Sequence, residues 1–328
     1  MASKKVQKHI KKFAKKNPTA FVIFLLILIF VAAGLFIVDY YNIYDLGIVD
    51  SEIKDDEKDN DDIIVSGELT VAFLETGNKY TGDAIYIKAG DTDLLIDAGS
   101  RNSSSTTISN YINNYVNDNV LEYVIATHPH DDHIGSLPQV MDDFTVGKII
   151  MPELAEFNTP TTRVYERLID YIVDNNIDAY AAEFGDVYEM DDVKIQILGP
   201  VKQVKDLNDM SVICKVYASE STFMLLGDAE KEELASVYEY NNKYGADLKS
   251  DVILLGHHGS STSIYKPFLN KVDAKTAVIS CGRNNSYNHP HKEALDYCKQ
   301  NGIAVVRTDI HGTITYRSTE DSFERIDG

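Results

Sequence analysis

Three histidines and two aspartates fall within six residues, His128-Pro129-His130-Asp131-Asp132-His133, directly after the apolar run Tyr123-Val124-Ile125-Ala126. An apolar run of that length reads as a buried strand. Its last residues therefore emerge at a strand end, where folded scaffolds place chemistry on loops. Along an extended strand end alternate residues point the same way, so His128 and His130 can share one cation. A turn into a helix after Pro129 brings Asp132 and His133 back toward a second ion. Neutral imidazole and carboxylate are the ligands that zinc takes. A fold that satisfies this segment must bring other strand ends to it.

Two later segments have the same form. The run Phe223-Met224-Leu225-Leu226 ends in Gly227-Asp228, and 252–255 runs into Gly256-His257-His258-Gly259-Ser260. Taken alone, Asp228 reads equally as the cap of a following helix. Adjacent histidines at a strand end are harder to explain by packing. The rest of the chain from residue 67 mixes strand and helix signals. Strands are expected at 69–74, 84–87 and 94–97, which start the fold antiparallel. Further strands are expected at 193–198, 212–218, 222–226, 252–255 and 277–280, with helices near 106–116, 163–173 and 230–240. Strands at 304–307 and 313–316 read as a closing hairpin around His311-Gly312. This order favours a layered α/β domain.

The first 66 residues are of another kind. Residues 20–38 form an uncharged run of nineteen residues, AFVIFLLILIFVAAGLFIV. As a helix this approaches the ~30 Å hydrocarbon core of a bilayer. A cleaved signal peptide would have a shorter apolar stretch, and here the small residues Ala32, Ala33 and Gly34 lie inside the run. The reading is a retained transmembrane helix. Seven lysines and no acid precede it, which places residues 1–19 in the cytoplasm as a basic tail and everything beyond the anchor outside the cell membrane, single-pass. Residues 39–66 form an acidic linker whose core, DSEIKDDEKDNDD, is too charged to bury a core of its own.

The formal net charge is −20 although the first 38 residues are wholly basic, so the part outside the membrane is more acidic than the total. Such a surface is a poor general binder of nucleic acid, and no stable nucleic-acid complex is expected. Phosphodiester chemistry stays open because bound cations reverse the local charge. Cys214, Cys281 and Cys298 form no CxxC pair and read as buried free thiols.

Taken together, HxHxDH, the strand-borne Asp228 and a later histidine resemble the metallo-β-lactamase superfamily over residues 67–328, with Asp97 of Leu95-Ile96-Asp97-Ala98-Gly99 at the position of a structural aspartate. Within it, Gly82-Asp83-Ala84-Ile85, Leu226-Gly227-Asp228-Ala229-Glu230, His257-His258-Gly259-Ser260 and Asn288-His289-Pro290 are similar to the soluble domain of ComEC-type competence DNA-uptake proteins. Two departures stand out. No histidine occurs between His133 and His257, and the corresponding region reads Asn208-Asp209-Met210-Ser211, an asparagine-and-serine form that this subgroup shares. Those uptake proteins also carry a polytopic channel where this chain shows one span, so a transport role is not carried over.

The resemblance implies an αββα sandwich preceded by the single transmembrane helix, and two divalent metal ions, zinc by default with manganese or iron as alternatives. His128, His130 and Asp228 would hold one ion. Asp132, His133, Asp228 and one of His257 and His258, with His257 preferred, would hold the other. A metal-bridging hydroxide would be the nucleophile, oriented by Asp132 or Asp131. His289, ahead of His291, would contact substrate or protonate the leaving group. His258, Ser260 and Asn208 are expected to contact substrate, with Ser261 and Ser263 nearby, although these serines equally suit helix caps. The expected substrate is a phosphodiester, extracellular DNA or a phosphate-bearing envelope polymer. A thioester, lactone or β-lactam hydrolase and a non-catalytic, surface-displayed binding module on the same fold are the rivals.

Overall fold

A computed structural model describes residues 68–77, 82–100 and 104–327. The expected basic tail, anchor and acidic linker lie outside the described residues. Among the described residues no helix is long and apolar enough to cross a membrane.

Two sheets lie face to face. The first has eight strands in the order β15-β14-β1-β2-β3-β4-β5-β6 and the second has seven, β13-β12-β11-β10-β9-β8-β7. The first sheet starts antiparallel, as expected, through β1 (Leu69–Phe73), β2 (Ile85–Ala89) and β3 (Thr92–Ile96). It becomes parallel through β4 (Val120–Ile125), β5 (Thr145–Met151) and β6 (Asp178–Ala181). In the second sheet β7 (Val187–Met190), β8 (Val193–Gly199), β9 (Ile213–Tyr217) and β10 (Thr222–Leu225) are antiparallel. From β10 onward, β11 (Val252–Leu254), β12 (Thr276–Ile279) and β13 (Ala304–Arg307) run parallel.

The alternation of strand side chains builds the layers. Val71 and Phe73 of β1, Cys214 and Val216 of β9, and Phe223 and Leu225 of β10 point into the core between the sheets. Ala72, Leu95 and Val124 point out of the first sheet, against Ile108 and Ile112 of α1 (Ser105–Ile112), Leu137 and Val140 of α3 (Leu137–Met141), and Leu168 and Ile172 of α4 (Arg163–Asp174). The single turn between them, Asp131–Ile134, is α2. Ile213, Met224 and Ile253 point out of the second sheet onto α5 (Lys231–Tyr244), α6 (Lys266–Val272) and α7 (Lys292–Gln300). The result is the expected αββα sandwich. The three cysteines are buried and free.

One expectation is overturned. The segments 304–307 and 313–316 do not form a hairpin: β13 pairs with β12, whereas β14 (Ile314–Ser318) pairs with β1 of the other sheet. Packing decides this. Tyr316 of β14 meets Phe73 of β1 at 6.4 Å between ring centroids and Phe223 of β10 at 5.9 Å. Phe323 of β15 (Phe323–Arg325) stacks on Tyr316 and packs edge-on against Phe223. An aromatic cluster shared by both sheets outweighs the local pairing that closeness in sequence suggests. β5, β6 and β7 are also absent from the strands expected above. All four residues of β6 are exposed, so it lacks the apolar alternation that marks a strand.

Where the second sheet meets α5, Glu233 is fully buried and its Oε1 accepts the backbone N–H of Val201 at 2.9 Å, while Oε2 has no partner. Burial pushes this carboxyl up from 4.5 to about 8, with Asp209 adding to the rise. A folded-state value above the unfolded one means that the folded chain holds the proton more tightly, so stability falls as pH rises from about 4.5 to 8. Glu233→Gln keeps the acceptor and has no proton to lose. Relative to wild type it should gain on the order of 4 kcal/mol at pH 8 and less than about 1 kcal/mol at pH 5. Denaturant melts of the full-length chain at the two pH values check this, and an equal shift at both would contradict it.

Candidate metal centre

The parallel strands make the site. β3, β4, β10, β11 and β12 all point their C-terminal ends to one side, and open α/β sheets place ligands there. Asp97 follows β3, His128 to His133 follow β4, Asp228 follows β10, His257 and His258 follow β11, and Ser280 follows β12.

Asp228 is at the centre, 2% exposed. Its Oδ1 lies 3.2 Å from His133 Nε2 and 3.4 Å from His258 Nε2. Its Oδ2 lies 3.6 Å from His128 Nε2 and 3.8 Å from His257 Nε2. Two groups of donors share this carboxylate. Asp83, His133, Asp228 and His258 each offer an atom within 4.8 Å of the others, and so do His128, His130 and Asp228. In the first group Asp83 Oδ1, His133 Nε2, Asp228 Oδ1 and His258 Nε2 are all buried without a hydrogen-bond partner. Their approaches of 3.2–3.6 Å lack hydrogen-bond alignment, as atoms converging on one point would. Buried polar atoms are rarely left unsatisfied, and four together, all oxygen or imidazole nitrogen, fit a divalent cation.

The surroundings fix the tautomers. His133 Nδ1 donates to Asp97 Oδ2 at 2.7 Å, leaving Nε2 with its lone pair toward Asp228. His258 Nδ1 lies 3.1 Å from the Ser280 carbonyl. A carbonyl only accepts, so Nδ1 carries the hydrogen and Nε2 faces the centre. Thr127 donates to Asp97 from both its backbone N–H at 2.8 Å and its hydroxyl at 2.5 Å, and its Oγ1 is 3.1 Å from His128 Nδ1. These contacts orient donor atoms in the way partners of metal-binding histidines do.

Electrostatics agree. Burial would lower His133 and His258, yet Asp228 together with Asp97 around His133, and with Asp132 and Asp83 around His258, outweighs it, and both rise well above the ordinary histidine value. Asp228 falls well below the usual carboxylate range although burial opposes this, because His133, His258 and His128 face it. Asp132 is lowered against burial by His258 and His133. The carboxylates thus draw protons onto the histidines, and a cation taking their place would release them.

The predicted residues gather here, with differences. His258, not the preferred His257, belongs to the four-residue group. His257 Nδ1 instead meets Glu230 Oε1 at 2.9 Å and the ring is a quarter exposed at the mouth. The reason is backbone: His257, His258 and Gly259 all have positive φ, so the chain coils left-handed off β11 and turns the second histidine inward. Asp132 is outside both groups, its Oδ2 3.5 Å from His258 Nε2. Asp131 is exposed on the first turn of α2. Asp83 and Glu230 join the site without having been expected from residue type. Asp83 sits beside Gly82, where a Cβ would stand 2.4 Å from the Asp132 carbonyl oxygen. Only glycine allows that approach.

Around the mouth, Asn208 Nδ2 donates to Glu230 Oε1 at 3.2 Å, and Thr262 Oγ1 donates to the same oxygen at 2.9 Å. Ser211, in the stretch without a histidine between His133 and His257, accepts the Asp228 backbone N–H at 3.1 Å and stands 3.4 Å from His128 Nδ1. Asp228 caps no helix; Asp209 Oδ1 instead takes the N–H groups of Glu230 and Glu233. Ser260 accepts from Thr262 N and so caps the turn Ser261–Ser263; Ser263 is fully buried. His291 is the N-cap residue of α7, with Nδ1 accepting from Ser261 N. His289 is buried, its ring 5.4 Å from that of His257 and 6.0 Å from that of His258. Burial, His258 and His257 push it down to about 4. An imidazole held that low is uncharged at neutral pH and can give or take one hydrogen bond.

Metal analysis of the purified full-length chain separates the two adjacent histidines. His258→Ala should lose about one bound ion per chain, whereas His257→Ala should keep its metal, since His257 lies outside both donor groups and its ring is a quarter exposed. The reverse pattern would reassign the ligand.

Comparison with known proteins agrees with this geometry. The model of the Metallo-beta-lactamase superfamily matches residues 77–283, more than half of the chain. The chain is 30% identical over 201 residues to ComE operon protein 3 of Bacillus subtilis (strain 168), covering 60% of this chain and 24% of that protein. It is 27% identical over 254 residues to Competence protein ComA of Neisseria gonorrhoeae, covering 77% of this chain and 33% of that one. The chain thus spans a third or less of the length of these relatives. Among solved structures, the metallo-beta-lactamase fold protein YhfI from Bacillus subtilis superposes with a TM-score of 0.50 at 13% identity, over 77% of this chain and 100% of that one, a likeness of fold. With the αββα layers, the strand-end donors and the family match in accord, this chain belongs to the metallo-beta-lactamase superfamily.

Proposed function

We propose that this chain is a metal-dependent phosphodiester hydrolase, held by an N-terminal anchor on the outer side of the cell membrane. The carrying observation is the set of four buried, partnerless donor atoms on Asp83, His133, Asp228 and His258 beside a second group, His128, His130 and Asp228. In this reading Asp228 serves both groups. Two divalent ions held there would supply Lewis acidity and lower the pKa of water toward neutrality.

The chain's own residues do the rest. Asp97 and the Ser280 carbonyl hold His133 and His258 in the tautomer that presents Nε2. Asp132, close to His258 and kept ionised, orients the attacking water. His257, steadied by Glu230, faces the substrate at the mouth with Asn208 and Thr262 beside it. His289 offers a neutral hydrogen-bonding ring.

Two observations favour phosphorus over carbon. The chain lacks a histidine between His133 and His257, where Ser211 stands against His128, and its relative from Neisseria gonorrhoeae is named a competence protein. Anchoring rests on the uncharged run at 20–38 and the seven lysines before it. Extracellular DNA or a phosphate-bearing envelope polymer is then the substrate within reach.

The full-length protein, loaded in turn with zinc, manganese and iron, should hydrolyse bis(p-nitrophenyl) phosphate and DNA, and His130→Ala should lower kcat/KM by at least about a hundredfold. Faster turnover of a thioester, lactone or β-lactam would move the reading to carbon chemistry. Absence of both bound metal and turnover would leave a binding module. Carbonate-washed membranes should retain the chain in the pellet, and its release would remove the anchor from the proposal.

A further inference from the structure

Tyr287 is 63% exposed, among the most exposed large apolar side chains described. Its ring lies nearly parallel to that of His289, with centroids 5.7 Å apart and an interplanar angle of 22°. His289 is in turn buried against the rings of His257 and His258. A chain of rings thus leads from the donor cluster to an open aromatic face.

The loop that presents this face is rigidly built. The buried Asn285 side chain donates to the Gly282 and His289 carbonyls at 3.0 and 2.7 Å and accepts the His289 N–H at 2.9 Å. His291 Nε2 donates to the Tyr287 carbonyl at 3.2 Å, and the His291 N–H donates to Gly259 O at 2.9 Å. Asn284 and Asn288 adopt positive φ on either side of Tyr287. Strained backbone of this kind persists only where surrounding contacts enforce it.

We propose that Tyr287 is a stacking platform for the nucleobase next to the scissile phosphodiester, which makes single-stranded nucleic acid the substrate class. The inference rests on the phosphodiesterase reading and sharpens it. Every base offers a π-face, so such a platform grips a strand without reading its sequence. It also suits an acidic protein, because stacking does not depend on positive charge.

The test compares kcat/KM of the metal-loaded full-length chain on a short single-stranded oligonucleotide and on the same oligonucleotide with abasic sugars flanking the cleaved linkage. Wild type should prefer the base-bearing strand. In Tyr287→Ala that preference should fall on the order of tenfold, and Tyr287→Trp should restore it. Metal content and thermal midpoint report whether each variant is folded. If wild type cleaves both strands equally, or if Tyr287→Ala slows both by the same factor, the platform is refuted while the phosphodiesterase reading stands. If wild type cleaves neither strand nor bis(p-nitrophenyl) phosphate, both fall together.

Discussion

A carboxylate buried among four histidine rings is the constraint around which the rest of this domain is arranged. Asp228 shows both oxygens to imidazole nitrogens and almost nothing to solvent. Burying a charge is costly unless something of opposite sign meets it. Protonated His133 and His258 can serve in part, but each is itself buried, and their Nε2 atoms lack aligned partners. Divalent cations resolve the conflict on both sides at once. Binding free energy and folding free energy are then linked in this region, as in other sites assembled only in the folded chain.

Meeting that constraint demands unusual backbone. Asp97, Gly227, His257, His258 and Gly259 all have positive φ and lie at strand ends facing the cluster. For residues with a side chain this region costs energy, and it persists where neighbours over-determine it. Asp97 is such a case. It sits with positive φ and no exposure, and it receives the Thr127 backbone and hydroxyl as well as His133. One aspartate therefore ties β3 to β4 and sets the tautomer of a donor. At the aromatic end, Phe223, Tyr316 and Phe323 clamp the two sheets together, so the strand tips contributed by different sheets keep their spacing.

Residues that announce chemistry by type and density were legible in the sequence. HxHxDH, Gly227-Asp228 and the His257-His258 pair follow apolar runs, and all of them meet at one pocket. What escaped depends on direction rather than type. Which of two adjacent histidines turns inward is decided by three successive left-handed residues, and no periodicity argument sees those. Asp83 looked like one more acid in an acidic chain; its placement requires Gly82 to lie against the Asp132 carbonyl. The closing strands looked like a hairpin because sequence proximity favours local pairing, whereas shared aromatic burial sends β14 to the opposite sheet. Glu230 gained its place through His257, a partner distant in sequence.

The charge balance bears on how a phosphate-bearing polymer approaches. A net charge of −20 repels an anionic strand over most of the surface, and cations in the donor cluster reverse that field only locally, because screening confines it to about 10 Å at ordinary salt. Under the proposed function, attraction would then be short-ranged and centred on one linkage. Grip beyond that linkage has to come from contacts that ignore charge. An exposed ring on a braced loop, joined to the donor cluster through His289, could serve as such a contact under the proposed function. Under the proposed function, such an arrangement would favour brief engagement and release over stable coating.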